Sequence, residues 1–283
     1  MLATSSIRFG DHHEHPGSSL QAGVRSSGAA ERPGGPTDSP KIRVASLFAC
    51  YDNLQDQLQE ARPLSEPSGN LAGDPFKGRR PTSHERMTGL PWDASYQKGP
   101  APWDIGHPQP AIVRLASEGA LSGVVLDAGC GTGENALHIA SQGFSVLGVD
   151  VAEIALAIAR QKAADRGIAV EFAMADAFHL KQLGRVFQTV VDSGLFHTFE
   201  PDEQVRYAAS LASVTERNAA LYLLCFSDDG PDTGPHPIRQ EDLRAAFHPG
   251  GGWNVVAIQP DRIHTRFHGD HGAPAWFATI KRI

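Results

Sequence analysis

"LDAGCGTGE", Leu126 to Glu134, decides the fold. The apolar run "VVLDAG" (from Val124) meets three alternating glycines, Gly129, Gly131 and Gly133, and the helix-forming "ENALHIASQG" follows. A strand that ends in a glycine turn and passes into a helix opens a βαβ unit. Turns of this kind let a ligand approach the backbone closely.

Outward from this loop the pattern repeats. The strand candidates are "VVLDAG", "FSVLGVD", "VEFAMAD", "FQTVVDSG", "AALYLLCFS", "WNVVAIQ" and "AWFATIKRI". Helical stretches separate the first five, as in "AEIALAIARQKAADRG" and "DEQVRYAASLASVT". Alternation of this sort predicts an α/β fold with a parallel sheet and helices on both faces. Gly143 and Gly167 stand where left-handed helix C-caps are expected. After the fifth strand come a short helix, "RQEDLRAAF", and two strands with no helix between them. That ending predicts a closing antiparallel pair.

The chain has 283 residues, 41% hydrophobic and 20% charged, with a net charge of -7. Nothing in that balance suggests a nucleic-acid surface, which needs a basic patch. No apolar run approaches the roughly 20 residues that span a bilayer, and no secretory h-region opens the chain. Cys50, Cys130 and Cys225 are too few and too scattered for a disulfide framework. A soluble cytoplasmic protein is expected. Residues 1–86 are rich in Gly, Ser and Pro without apolar period, which predicts a disordered arm before a folded domain over 87–283. Within the arm, Ile42 to Leu58 reads as a transient helix, and Met87 is an alternative start. "DHHEH", Asp11 to His15, has metal-binding residue types, but a floppy arm has no second shell to hold an ion. No metal site is expected.

The loop spacing is G-x-G-x-G, whereas a dinucleotide fingerprint reads G-x-G-x-x-G. Glu134, in the first helical turn, would repel a pyrophosphate placed there, and no G-K-[ST] ending marks a triphosphate loop. Asp127 at the first strand's end suits a cationic ligand. Asp150 ends the second strand about 20 residues past Gly129, where a carboxylate can accept from both ribose hydroxyls. Asp176 ends the third strand, where it can accept from an exocyclic adenine amine, with the Ala177 N–H facing the ring. Any one of these aspartates alone would read as a turn or N-cap residue. Together, in register after a D-x-G-x-G-x-G loop, they indicate an adenosine-bearing ligand. Cys130, between two glycines, reads as structural.

These residues resemble the class I S-adenosylmethionine-dependent methyltransferases. "LDAGCGTGE" matches their first motif, "GVD" (Gly148 to Asp150) their second, and "ADAF" (Ala175 to Phe178) the adenine-side turn. The resemblance covers the chain from Trp103 to Ile283. It implies a Rossmann-like seven-stranded sheet with an antiparallel last strand and S-adenosyl-L-methionine as cofactor. It places Asp127, Gly129 and Gly131 near the methionine moiety, Asp150 with Val151 at the ribose, and Asp176 with Ala177 at the adenine. Asp192, at the fourth strand end, joins this set. Trp103 is expected to pack over the cofactor cleft or core, and Gln109 to reach the methionine carboxylate.

The acceptor side is read from "VVDSGLFHTF", Val190 to Phe199. Family members acting on nucleic-acid or protein amides carry an (N/D)PP(Y/F) tetrapeptide here, and this chain has Asp192-Ser193-Gly194-Leu195. A small-molecule acceptor, without nucleic-acid or membrane partners, is therefore expected. His197 follows, with an ordinary pKa suited to a general base. Base or substrate-orienting work stands against a structural role bonding a loop carbonyl. His236, His264, His268 and His271 are further late-loop candidates. "APWDIGHPQP" (Ala101 to Pro110) narrows the resemblance to thiopurine- and tellurite-type methyltransferases, and further to the mycobacterial heterocyclic toxin methyltransferases. That group implies O-methylation of hydroxyquinolone-like compounds. An earlier "PWD" in "LPWDASYQKG" (Leu90 to Gly99) suggests a lid, with Trp92 and Tyr96 over the acceptor pocket. Thiol or N-methylation, and S-adenosylmethionine binding without catalysis, stay open as alternatives. A nicotinamide oxidoreductase would need the glycine spacing this loop lacks.

Overall fold

The computed structural model describes residues 76, 78–230, 234 and 236–283. The expectations at Asp11 to His15 and Ile42 to Leu58 lie outside the described residues. Seven strands form one sheet in the order β3-β2-β1-β4-β5-β7-β6. They are β1 (Val125–Ala128), β2 (Val146–Asp150), β3 (Glu171–Met174), β4 (Phe187–Ser193), β5 (Thr215–Phe226), β6 (Trp253–Ile263) and β7 (Ala273–Arg282). The first five pair in parallel. β7 runs antiparallel between β5 and β6. This is the α/β sheet with an antiparallel last strand that the pattern predicts.

β1 is buried along its whole length, as an inner strand of a sheet covered on both faces must be. One face packs Leu126, Val190, Leu221 and Leu223 against α5 (Pro201–Ala212) and α6 (Gln240–Ala246). The other packs Val125, Val146 and Val191 against α2 (Pro110–Ser117) and α3 (Glu134–Ser141). α2 opens on Pro110, whose fixed φ suits a first helical position. Each fully buried aliphatic side chain contributes roughly 1.5–3 kcal/mol. α4 (Glu153–Arg166) stops at Gly167, left-handed at φ +62°. Gly143 follows the α3 cap Gln142.

A helix, α1 (Ser83–Thr88), precedes all of these and crosses the expected boundary at residue 86. Its Ser83 N–H donates to Glu203 Oε2 at 3.1 Å, and its Ser83 hydroxyl to the Thr198 carbonyl at 2.9 Å. Arg86 bonds Glu203 Oε1 at 2.8 Å. Composition misses this because α1 has little apolar surface of its own and is held by polar contacts distant in sequence. Among the described residues no helix is long and apolar enough to cross a membrane.

Candidate cofactor and acceptor site

The glycine loop joins β1 to α3 at the carboxyl edge of the sheet, where open α/β folds bind ligands. Gly133 caps α3 at φ +84°, and a Cβ there would lie 2.7 Å from Phe172 Cζ. A Cβ on Gly129 would lie 2.9 Å from Leu195 Cβ. The alternating spacing thus answers close approach on two sides, from β3 and from the turn after β4. Gly131 presents its N–H to Asp150 Oδ2 at 2.8 Å.

Strand order brings Asp176, Asp150, Asp127 and Asp192 to one edge, on or just after β3, β2, β1 and β4. Asp150 also accepts from the Ala152 N–H at 2.9 Å, and the Val151 N–H adds to this cradle. Burial raises its pKa, and these backbone donors pull the other way. Asp176 caps the 3-10 segment Ala177–Leu183 through Phe178 N–H at 2.9 Å, and its other oxygen lies 2.9 Å from His179 Nδ1. It is thus an N-cap, with Ala177 directly after it.

Asp127 is 1% exposed, and its Oδ2 has no hydrogen-bond partner among the described residues. Burial and then the charge of Asp192 push its pKa up to about 7. A buried carboxylate left unpaired is costly, so the site fits a ligand that brings a cation, as the ammonium end of S-adenosylmethionine does. Asp192 is fully buried beside the Tyr207 hydroxyl, and its Oδ1 accepts from Leu195 N–H at 3.0 Å and Phe196 N–H at 3.3 Å. Burial pushes its pKa up to about 7 as well. Asp192 therefore shapes the turn after β4.

The sign of that shift gives a prediction. A carboxyl with a raised folded pKa destabilises the fold as pH climbs from 3.8 to about 7. Asp192→Asn keeps an oxygen for both N–H donors and removes the charge. Its stability advantage should open across that window and reach up to about 4 kcal/mol at pH 8, the rise from 3.8 to about 7 counting about 1.4 kcal/mol per pKa unit. Thermal unfolding of both proteins at pH 5 and pH 8 checks this; a variant less stable than wild type at pH 8 contradicts it.

Three expectations change. Gln109 Nε2 donates to the His264 carbonyl and its Oε1 accepts from the His264 N–H, both at 2.8 Å. With both ends of its amide bound to the backbone N–H and C=O of one residue, Gln109 ties the start of α2 to the β6–β7 connection instead of reaching a ligand carboxylate. Glu134 is gripped by Arg166 at 2.8 and 2.9 Å and by Lys162 at 2.9 Å. Burial opposes its charge, but these partners outweigh burial and hold its pKa below the usual range. A carboxylate so neutralised repels a pyrophosphate weakly, so the loop's preference rests on Asp127 and the spacing.

His197 is the third. It is 8% exposed, and its Nδ1 accepts from the Phe226 N–H at 3.4 Å. The neutral ring then carries its proton on Nε2, leaving a donor there and no lone pair for a base. Burial, followed by the charges of His236 and His84, lowers its pKa to about 3. An Nδ1 lone pair already facing the Phe226 N–H weighs against the general-base reading.

The entry segment covers the loop. Tyr96 is 7% exposed, and its hydroxyl lies 3.3 Å from where a Gly131 Cβ would be. It packs with Ala101 against Ala152 and Ala155 at the start of α4. Trp103 donates from Nε1 to the Tyr96 hydroxyl at 2.8 Å, stays 37% exposed, and meets Trp92 edge-on at 5.6 Å. The lid expected over the acceptor pocket therefore begins over the cofactor loop. Sequence reading missed Asp93, which accepts the Ile154 N–H of α4 at 2.9 Å and anchors this segment. The repeated "PWD" was its signal; in the second copy, Asp104 closes a local turn with Gly106 at 3.1 Å. Cys130 is half-buried, and burial with two nearby carboxylates keeps its thiol protonated.

Comparison with known proteins agrees with this geometry. A family model described as "Methyltransferase domain" matches residues 125–218. The 2-heptyl-1-hydroxyquinolin-4(1H)-one methyltransferase of Mycobacteroides abscessus is 36% identical over 178 residues, 61% of this chain and 78% of that protein. A probable thiol methyltransferase 2 of Arabidopsis thaliana is 30% identical over 51% of this chain and 65% of its own length. A solved structure described as "Conversion of a Disulfide Bond into a Thioacetal Group during Echinomycin Biosynthesis" is 37% identical. It superposes with a TM-score of 0.58 over 64% of this chain and 84% of that one. With the glycine loop, the edge of carboxylates and the sheet order all in place, the chain belongs to the S-adenosylmethionine-dependent methyltransferases.

Proposed function

We propose that this enzyme methylates a hydroxyl oxygen on a flat heteroaromatic acceptor of the hydroxyquinolone kind. The observation that carries the reading is the aromatic line of Tyr96, Trp103 and Trp92 rising from the cofactor loop. Planar rings gain from stacking beyond their buried area, and the 36% identical relative acts, by its name, on a hydroxyquinolone.

When bound, the cofactor supplies an electrophilic methyl group on its sulfonium. The chain's own part is binding and alignment, which supply much of the rate in a displacement of this kind. Asp127 takes the ammonium, with Gly129 and Gly131 admitting the methionine moiety. Asp150, beside Val151, takes the ribose hydroxyls, and Asp176 with the Ala177 N–H takes the adenine. Asp192 holds the turn that carries His197. The acceptor binds as its oxyanion, its hydroxyl proton already lost to solvent, so no base is required; His197 Nε2 donates to that oxygen, and Trp103 closes the mouth against water.

The test is turnover of labelled S-adenosylmethionine against hydroxyquinolones, phenols and thiols. The expected result is fastest turnover on a hydroxyquinolone, with the label on its oxygen. Turnover on thiols alone favours the thiol reading suggested by the Arabidopsis relative; cofactor binding without turnover on any acceptor sinks the enzymatic reading.

A further inference from the structure

We propose that His84, Trp92 and His236 form the wall that binds the acceptor, so that α1, which begins before Met87, completes the active site. This rests on the acceptor reading above and adds the residues that recognise it. The His84 ring stacks on Trp92 with centroids 4.4 Å apart and planes at 11°. It meets His236 edge-on at 6.3 Å. Trp92 continues to Trp103 at 5.6 Å, and Trp103 to Tyr96 over Gly131. One line of rings thus joins the cofactor loop to the histidines. On the far side, His197 packs against Phe226 at 4.5 Å, and its charge balance feels both His236 and His84.

α1 is placed firmly enough to present a binding group. Glu85 is fully buried and accepts from Arg79, from the Thr82 N–H at 2.9 Å and from the Trp92 N–H at 3.1 Å. One carboxylate therefore fixes both members of the stacked pair. Ser83 bonds the Thr198 carbonyl, beside His197. His236 stands at φ +55°, a left-handed backbone that is costly for a residue other than glycine. Such strain persists where the surroundings over-determine it, often at ligand clamps.

The chemistry of the group points to a ligand. His84 is half-buried and His236 exposed, so the two rings border solvent and are accessible to a ligand. Among the described residues no group of three or more His, Cys, Asp or Glu could hold a metal ion. Burial and then His236 lower the His84 pKa to about 4, so its ring is neutral at physiological pH. A neutral imidazole offers one donor and one acceptor. Two of them beside an indole suit a planar heteroaromatic with oxygen functions at its edge, and they disfavour a cationic or purely aliphatic acceptor.

The experiment uses the full-length protein with His84→Ala, His84→Phe and His236→Ala. Acceptor affinity is measured by calorimetry with 2-heptyl-1-hydroxyquinolin-4(1H)-one, alongside S-adenosylmethionine affinity, KM, kcat and thermal midpoint. Each variant is expected to weaken acceptor binding and raise KM at least tenfold, with cofactor affinity within about twofold of wild type. His84→Phe keeps a stacking ring, so it separates loss of the nitrogen from loss of α1 packing. Unchanged acceptor affinity in His84→Phe and His236→Ala overturns the proposal, as does an equal loss of cofactor and acceptor binding. If wild type binds only a phenol or thiol, the hydroxyquinolone reading fails, and the same variants measured on that compound decide the wall separately.

Discussion

Asp150→Ala is expected to lower S-adenosylmethionine affinity at least about 100-fold by titration calorimetry. The carboxylate accepts from Gly131 N–H at 2.8 Å and Ala152 N–H at 2.9 Å. Hydrogen bonds to a charged group contribute about 1.5–3 kcal/mol each, and a buried donor left without a partner costs about 1–3 kcal/mol. Loss of the proposed ribose contact and loosening of the loop act in the same direction. Either alone approaches the roughly 2.7 kcal/mol that corresponds to a 100-fold change. Asp150→Asn should fall between, because its oxygen still serves one donor while its amide opposes the other. Wild-type affinity in Asp150→Ala would remove Asp150 from the cofactor site. A large fall in thermal midpoint with unchanged affinity would leave it only the loop-holding role.

Gly133→Ala is expected to lower the thermal midpoint by on the order of 10 °C, at about 2–4 °C per kcal/mol for a domain of this size. Two costs add. A left-handed backbone at φ +84° costs a residue with a Cβ about 1–2 kcal/mol. The new Cβ would also lie 2.7 Å from Phe172 Cζ and 2.8 Å from Ala159 Cβ, and overpacking of this sort costs about 1–3 kcal/mol. β3 and α4 must move apart, and the loop with them, so cofactor affinity should fall as well. Calorimetric melting checks the first effect. A midpoint within about 2 °C of wild type would show that β3 and α4 yield freely, against the packing around Phe172.

The two variants probe features that the sequence carried in different ways. Gly133 and Asp150 belong to short motifs whose spacing is itself the signal. The backbone conformation of a turn, and the edge at which parallel strands end, follow from local order. Asp93 was legible only as a repeated "PWD", because its partner, the Ile154 N–H, lies on a different element. α1 was hidden for a related reason. Its residues resemble the loop composition around them, and Glu85 becomes a structural centre only once Arg79, Thr82 and Trp92 fold back upon it.

By itself, the sequence determined the strand and helix alternation, the antiparallel ending, the glycine loop and the row of carboxylates at one sheet edge. These depend on periodicity and on residue types at fixed spacings, which survive any detail of packing. Tertiary structure alone decided what several side chains do. It bound both ends of the Gln109 amide to the His264 backbone, paired Glu134 with Arg166 and Lys162, and set His197 Nδ1 against the Phe226 N–H. It also brought His84 against Trp92 and His236. A side chain's chemistry is set by its nearest partners and by the water it loses, and those partners come from distant parts of the chain.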